Sequence, residues 1–301
     1  IYDDDPLRIL RCIRFASRYG WEIEYDTYEG MVRNVSRLEI ITKERVKDEF
    51  CKMLTCKHPV MAMELLRKTG AMHYVIPELE ETYSMTQNEY HFGTVWEHTM
   101  MVLEGTKDDN MILRISALLH DIGKIRVCTE EDGKIHFLKH ELKSGEMIDE
   151  LLRPLKFSNE IIKEVTFLVR NHMICKTWGS ECEYMKDKKL RRFQYECKTE
   201  ERFRNLMTII DADNNAYAAD KCMPKQVEFI LSRTEAMKAE GSAMFGYKLP
   251  LTGKEIMDLK GIKPGSAVKE CLDYLMKIAF VNPLRKKEEF VKHLLGYRLQ
   301  K

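Results

Sequence analysis

Apolar residues recur at three- and four-residue spacing along most of this chain, the period of helices with one buried face, and no convincing run of alternating strands interrupts them. The pattern predicts an all-α fold. A first helix is expected with Asp5 as its N-cap and Pro6 in its first position, then Leu7, Leu10, Ile13 and Phe15 as apolar residues and an end near Gly20. "TKERVKDEFCKMLTC" from Thr42 and "HPVMAMELLRKTG", stopped by Gly70, predict two more, and Gln87 to Gly93 reads as a polar loop. The segments "TVWEHTMMVLEG", "NMILRISALLHDIG", "HELKSGEMIDELLRPL" and "SNEIIKEVTFLVRNHM" predict four helices with short connections. "VCTEEDGKIHFLKH", with its Asp132-Gly133 turn signal, reads as a small hairpin or a loop. "TEERFRNLMTIIDADNNAYA" predicts a long helix, and a glycine-containing joint lies at Gly241 to Gly246. "LTGKEIMDLKGIKPGSAVKECLDYL" reads as helix, glycine loop, helix, with Thr252 and Glu255 forming a capping box.

Composition narrows the class. At 301 residues, more than one unit is expected. Charged residues make up 32%, and no apolar run approaches the roughly 18 residues that would span a bilayer, so a soluble protein with no membrane partner is expected. Lys and Arg number 49 against 48 Asp and Glu, so any polyanion surface must be local. Nine cysteines without CxxC spacing fit reduced thiols and a cytoplasmic setting. Two stretches gather Lys and Arg with aromatics, Met185 to Phe193 and the C-terminal "PLRKKEEFVKHLLGYRLQK". Each reads either as a solvated helix face or as a phosphate-binding surface.

The chemistry lies in the polar residues that interrupt the middle helices: His98, His120 with Asp121, His140, His172 and the pair Asp211/Asp213. Imidazole and carboxylate together suit divalent cations and leave room for water and phosphate oxygen. Helical bundles build metal sites in this way, from side chains on facing helices. Taken alone, each histidine reads as a satisfied core residue; the set on separate helices points to a metal site. Asp211 and Asp213 flank the buried face of their helix on opposite sides, so periodicity does not choose between them.

That order of residues, with "HDIGK" at its centre, resembles the HD superfamily of metal-dependent phosphohydrolases. The resemblance implies His98, His120, Asp121 and Asp213 as core metal ligands and His140 and His172 as second-site candidates. It also implies a catalytic role for His120 and Asp121, and a place for Lys124 against a substrate phosphate. "ADN" after an apolar helix favours Asp213 over Asp211. The native divalent metal, whether Mg, Mn, Ni, Zn or Fe, is not distinguished.

A wider resemblance runs from Asp4 to about Leu272. "DDPLRILRCIRFASRYGWEIE", "ERVKDEFCKML", "IPEL", "HFGTVWEHTM" and "LTGKEIMDLKGIKPGSAVKECL" are similar, in order, to bacterial tRNA nucleotidyltransferases and poly(A) polymerases. It implies a neck over residues 1–41, body helices over 42–90, an HD phosphohydrolase domain over 91–220 and a helical, tRNA-contacting tail over 221–301. In such enzymes a Glu-Asp-x-x-Arg motif reads the incoming base; the matching residues here are Asp4, Asp5 and Arg8, with Arg11 one turn further. The Gly-rich loop and Asp-x-Asp pair of the nucleotidyltransferase head, which uses Mg, have no counterpart here. The expectation is therefore a C-terminal portion that does not itself add nucleotides, with the tRNA 3′ end as partner, ATP or CTP as partners of the intact protein, and homodimerisation left open.

Overall fold

The computed structural model describes residues 2, 4–87, 93–107, 109–217 and 221–299; of the expected polar loop, residues 88–92 lie outside the described residues. The fold is all-α, with a single two-stranded hairpin among the described residues. Two compact units are present, one of Ile1–Lys176 with Asn205–Pro224, the other of Thr177–Arg204 with Lys225–Lys301.

In the first unit, α1 (Arg8–Tyr19), α2 (Tyr25–Asn34), α3 (Lys43–Leu54) and α4 (Pro59–Thr69) precede α5 (Val95–Gly105), α6 (Met111–Leu119), α7 (Lys124–Val127), α8 (His140–Leu152) and α9 (Asn159–Asn171). The first helix starts two residues later than expected, because Pro6 and Leu7 form a turn, so Asp5 is not the N-cap. Its Oδ1 nevertheless accepts the Leu7 N–H at 3.3 Å. α1 buries Ile9, Leu10, Ile13 and Ala16, whereas Phe15, expected in the apolar stripe, is 41% exposed. α2, of weak apolar period, carries its own N-cap, Glu24, whose carboxylate accepts from Asp26 N and Thr27 N. β1 (Thr129–Glu131) and β2 (Lys134–His136) pair antiparallel through Asp132 and Gly133 at φ 51° and 71°, the left-handed pair that a two-residue hairpin turn requires.

α6 positions the site. Every residue from Leu113 to Leu119 is buried, so this helix runs through the interior rather than along it and delivers its C-terminal end inside the unit. α5 reaches the same region from the N-cap Thr94, which forms a reciprocal capping box with Glu97.

The second unit contains α10 (Asp187–Cys197), the first turn of α11 (Glu200–Asn215), α12 (Gln226–Ala239), α13 (Gly253–Lys260), α14 (Ser266–Val281) and α15 (Lys287–Gly296). Leu251, Ile256, Cys271, Leu275, Phe290 and Leu294 belong to its core cluster. The expected capping box is present, Glu255 N donating to Thr252 Oγ1 at 3.3 Å and Thr252 N to Glu255 Oε2 at 2.8 Å. In α10 the basic run divides: Leu190, Arg191 and Phe193 are buried, and Arg191 donates to Val281 O at 2.9 Å, so it is structural. Lys188, Lys189 and Arg192 are exposed.

Candidate metal centre

Four helix ends and one helix face converge on the site. His120 follows α6, His172 follows α9, His140 opens α8, and His98 projects from α5; Asp213 comes from the last turn of α11. All are buried, at 8% exposure or less.

The imidazoles share one arrangement. His120 Nδ1 lies 2.8 Å from Ala117 O, His172 Nδ1 2.7 Å from Val169 O, and His140 Nδ1 2.9 Å from Phe137 O. His98 Nδ1 lies 3.2 Å from Ala216 O. A carbonyl can only accept, so each Nδ1 carries the proton and each Nε2 presents a lone pair inward. His120 and His172 thereby satisfy carbonyls that their helix ends leave unpaired. The inward nitrogens meet in pairs: His98 and His120 Nε2 are 3.3 Å apart, as are His140 and His172 Nε2.

Asp121 lies between the pairs. Its Oδ2 is 3.2 Å from His120 Nε2 and 3.5 Å from His98 Nε2, and its Oδ1 is 3.1 Å from His140 Nε2 and 3.8 Å from His172 Nε2. Two groups of donors result, His98/His120/Asp121 and Asp121/His140/His172, each compact enough to hold an ion, with Asp121 common to both. Asp213 Oδ1 extends the first group, 3.2 Å from His98 Nε2 and 3.9 Å from His120 Nε2. Asp211 is half-buried and the Asn215 side chain donates to its backbone carbonyl at 2.8 Å, whereas Asp213 reaches the histidines, so Asp213 is the carboxylate that joins the cluster.

The electrostatics follow from burial against neighbouring charge. Burial resists ionisation of Asp121, but His120, Lys124 and His140 outweigh it and hold this carboxyl well below its usual range. Asp213 behaves likewise, burial being overcome chiefly by Lys176 and His98. Burial and the charges of His120 and His140 push His172 down to about 3, and burial lowers His98. For His120 burial is outweighed by Asp121, which raises it. Two ionised carboxylates and the neutral imidazoles of His98 and His172 form a donor set for divalent cations.

Lys124 is buried and its Nζ lies 2.7 Å from both Asp121 Oδ2 and Gln87 Oε1. Lys176, which the sequence reading missed, has Nζ 2.9 Å from Asp213 Oδ2 and 2.9 Å from Asn214 Oδ1, and sits 3.9 Å from the ring centre of Tyr217. Tyr217, four residues after Asp213, packs edge-on against His98; its spacing from Asp213 was the available signal. Asp4, Asp5, Arg8 and Arg11 lie outside this site, at the start of α1. Asp4 and Arg8 are exposed, whereas Asp5 Oδ2 is 3.6 Å from Arg11 and its Oδ1 is 3.4 Å from Arg45, so its charge is shared by two guanidiniums.

Residues 88–214 match the HD domain family, and residues 20–82 match the family described as "Probable RNA and SrmB- binding site of polymerase A". An A-adding tRNA nucleotidyltransferase of Deinococcus radiodurans is 28% identical over 89% of this chain and 62% of its own length. A CC-adding tRNA nucleotidyltransferase of Thermus thermophilus is 28% identical over 98% of the chain and 67% of its own. Over most of its length the chain is thus similar to tRNA nucleotidyltransferases, and its middle matches the HD domain family. It spans about two thirds of the length of these two relatives. Among solved structures, the CCA-adding enzyme of Bacillus stearothermophilus in complex with CTP superposes over 98% of the chain and 62% of its own length, with a TM-score of 0.64 at 20% identity, a likeness of fold. No described helix is long and apolar enough to cross a membrane.

Proposed function

We propose that this chain holds two divalent cations between α5, α6, α8, α9 and α11 and hydrolyses phosphoesters, with the 3′ end of tRNA as its substrate. The observation that carries the reading is the paired Nε2 atoms. Two lone pairs facing each other at 3.3 Å repel, and their repulsion is relieved when a cation lies between them. Asp213 Oδ2 points the same way, being buried with an ion-pair partner in Lys176 but no hydrogen bond. The ligands would be His98, His120, Asp121 and Asp213 for one ion and Asp121, His140 and His172 for the other. Bound there, a divalent cation supplies Lewis-acid stabilisation of phosphate charge and an activated water. The chain's own contribution is to fix the four imidazole tautomers, to exclude water, and to keep Lys124 and Lys176 beside the two carboxylates. Lys124 is placed to take a phosphate oxygen when Asp121 is engaged by metal.

The match of residues 20–82 to an RNA-binding family and the likeness to tRNA nucleotidyltransferases support tRNA as the polymer. Asp4, Asp5, Arg8 and Arg11 would read a nucleobase in the intact protein, where ATP or CTP and a Mg-dependent head outside these residues would add C or A.

One observation favours a second reading. Each carboxylate already has a lysine as ion-pair partner, so the cluster can be electrically satisfied as a metal-free remnant of an RNA-binding module. Bound metal measured by plasma mass spectrometry, together with hydrolysis of bis-p-nitrophenyl phosphate and 2′,3′-cyclic nucleotides before and after chelation, separates the two. Two ions per chain and chelator-sensitive turnover are expected; tight tRNA binding with no metal and no turnover would establish the remnant.

A further inference from the structure

The two lysines beside the cluster stand on different terms with it. Lys176 Nζ is 2.9 Å from Asp213 Oδ2, whereas the oxygen of Asp213 that faces His98 is Oδ1. Lys176 also has anchors of its own, the Asn214 side-chain oxygen at 2.9 Å and the ring of Tyr217. A cation beside His98 and His120 can therefore use Asp213 without dislodging Lys176. Lys124 is placed otherwise. Its Nζ is 2.7 Å from Asp121 Oδ2, the same oxygen that lies 3.2 Å from His120 Nε2 and 3.5 Å from His98 Nε2. Lysine and ion thus contend for one carboxylate oxygen, and two cations repel each other strongly at that range.

An ammonium that gives up its carboxylate inside the protein needs another partner, and Lys124 is 1% exposed, so water does not provide it. Gln87 does. Its Oε1 accepts from Lys124 Nζ at 2.7 Å, and its Nε2 donates to Thr94 O at 3.0 Å. A carbonyl only accepts and an ammonium only donates, so the two contacts fix which end of the amide faces which partner. The backbone anchors this clip. Thr94 O also accepts His98 N at 3.1 Å, Val95 N donates to Met85 O at 2.9 Å, and Thr86 pairs with Thr94 in an antiparallel bridge. Gln87 is thereby held against the start of α5, the helix that carries His98.

We propose that Gln87 is a positioning residue for Lys124, a neutral acceptor that keeps the ammonium in the site when Asp121 Oδ2 turns to a metal and leaves its charge for a phosphate oxygen. Neutrality is what the position requires. A glutamate there would pair with Lys124 and cancel the charge, and would set a carboxylate oxygen against Thr94 O. An apolar side chain would leave Lys124 on Asp121, in competition with the ion. Metal and phosphate then bind cooperatively, since each favours the released lysine, and each tightens the other by the same factor. The inference rests on the reading above in taking a cation at Asp121, and it adds a residue outside the ligand set.

The test uses the whole chain, with Mn²⁺ and inorganic phosphate as probes. Free Mn²⁺ is read by electron paramagnetic resonance, and phosphate affinity by calorimetry with and without Mn²⁺. In the parent, Mn²⁺ tightens phosphate binding about tenfold or more, within the usual range of coupling between sites. Gln87→Glu weakens phosphate binding to the Mn²⁺-loaded chain about tenfold, the scale of one hydrogen bond to a charged group, while Mn²⁺ binds at least as tightly as in the parent. Gln87→Met, close in size but without the amide, also weakens phosphate, and it loosens Mn²⁺ because Lys124 stays on Asp121. A residue that only supported the fold would not move the two ligands apart in this way. The route is isolated by a double-mutant cycle: in a Lys124→Met background, Gln87→Glu leaves phosphate affinity unchanged. An unchanged helical circular dichroism spectrum confirms folding, and Gln87→Met carries the comparison if Gln87→Glu disturbs it. Parental phosphate affinity in the folded Gln87 variants, or the same loss from Gln87→Glu with Lys124 already replaced, overturns the inference and leaves the metal centre standing. So does phosphate binding in the parent that Mn²⁺ does not tighten. A parent that binds no Mn²⁺ overturns the metal reading and this inference together, and because Mn²⁺ is titrated first and alone, the two failures are read separately.

Discussion

Asp121 offers one oxygen to each histidine pair, and its neighbours inherit unequal importance from that position. Asp121→Asn should abolish binding of both ions, whereas His172→Ala, which removes a donor from one group only, should leave one ion per chain; plasma mass spectrometry on the two variants checks the difference. Gly123 makes a different contribution. A Cβ there would lie 2.3 Å from Ser144 N and 2.5 Å from His140 O, so only glycine permits α8 to approach, and Gly123 N donates to Ser144 Oγ at 2.8 Å across that contact. Gly123→Ala is expected to destabilise the first unit by about 1–3 kcal/mol through overpacking. It should also weaken the His140/His172 ion more than its neighbour, as seen by urea unfolding and by metal titration. At this scale the ligand types were legible in the sequence because each broke an apolar period. Asp213 and Asp211 were not separable by period, since their helix continues into the site and only packing against His98 distinguishes them. Lys176 and Tyr217 escaped because an isolated lysine or tyrosine after a helix resembles any surface residue until Asp213 comes beside it.

Among the elements, caps and ends did most to place the chemistry. α5 holds His98 one turn beyond Thr94, so Thr94→Ala, which removes the hydroxyl that accepts Glu97 N, should cost the first unit about 1 kcal/mol. Differential scanning of parent and variant measures it. The matching box at α13 makes a pH prediction. Lys287, then the Thr252 N–H and hydroxyl, lower the Glu255 carboxyl to about 2, against about 4.3 in an unfolded chain. A folded-state value below the unfolded one gives stability that is present above about 4.3 and lost as pH falls towards 2. Acid titration of urea midpoints should show a small loss in that window, small because the pair is exposed and screened; Glu255→Gln should lack it. Strongly periodic helices such as α9 could be read from the sequence. The starts of α1 and α2 could not, since a proline turn displaces the first and a glutamate cap, rarer than Ser or Asp, begins the second. Phe15 was assigned to the wrong face because an amphipathic pattern counts apolar residues without asking which ones solvent or a ligand will cover.

At the scale of the molecule, the net charge of +1 gives no general attraction for RNA, and binding must come from local grouping of cations. The same locality should govern stability. All six proposed ligands belong to the first unit and none to the second, so metal is linked to one unit's unfolding alone. A ligand that binds the folded form only adds about 2.7 kcal/mol at a hundredfold excess over its dissociation constant. Saturating the chain with its metal should therefore raise the unfolding midpoint of the first unit by several degrees, by roughly 2–4 °C per kcal/mol for a unit of this size. The second unit's midpoint should stay unmoved. Hydrogen exchange read by mass spectrometry resolves them: with metal, amides of α5, α6, α8 and α9 should slow, while those of α13, α14 and α15, packed around Leu275 and Phe290, should keep their rates. Equal slowing in both sets would show that metal acts on the chain as a whole, and slowing in neither would return the cluster to the lysine-neutralised, metal-free reading.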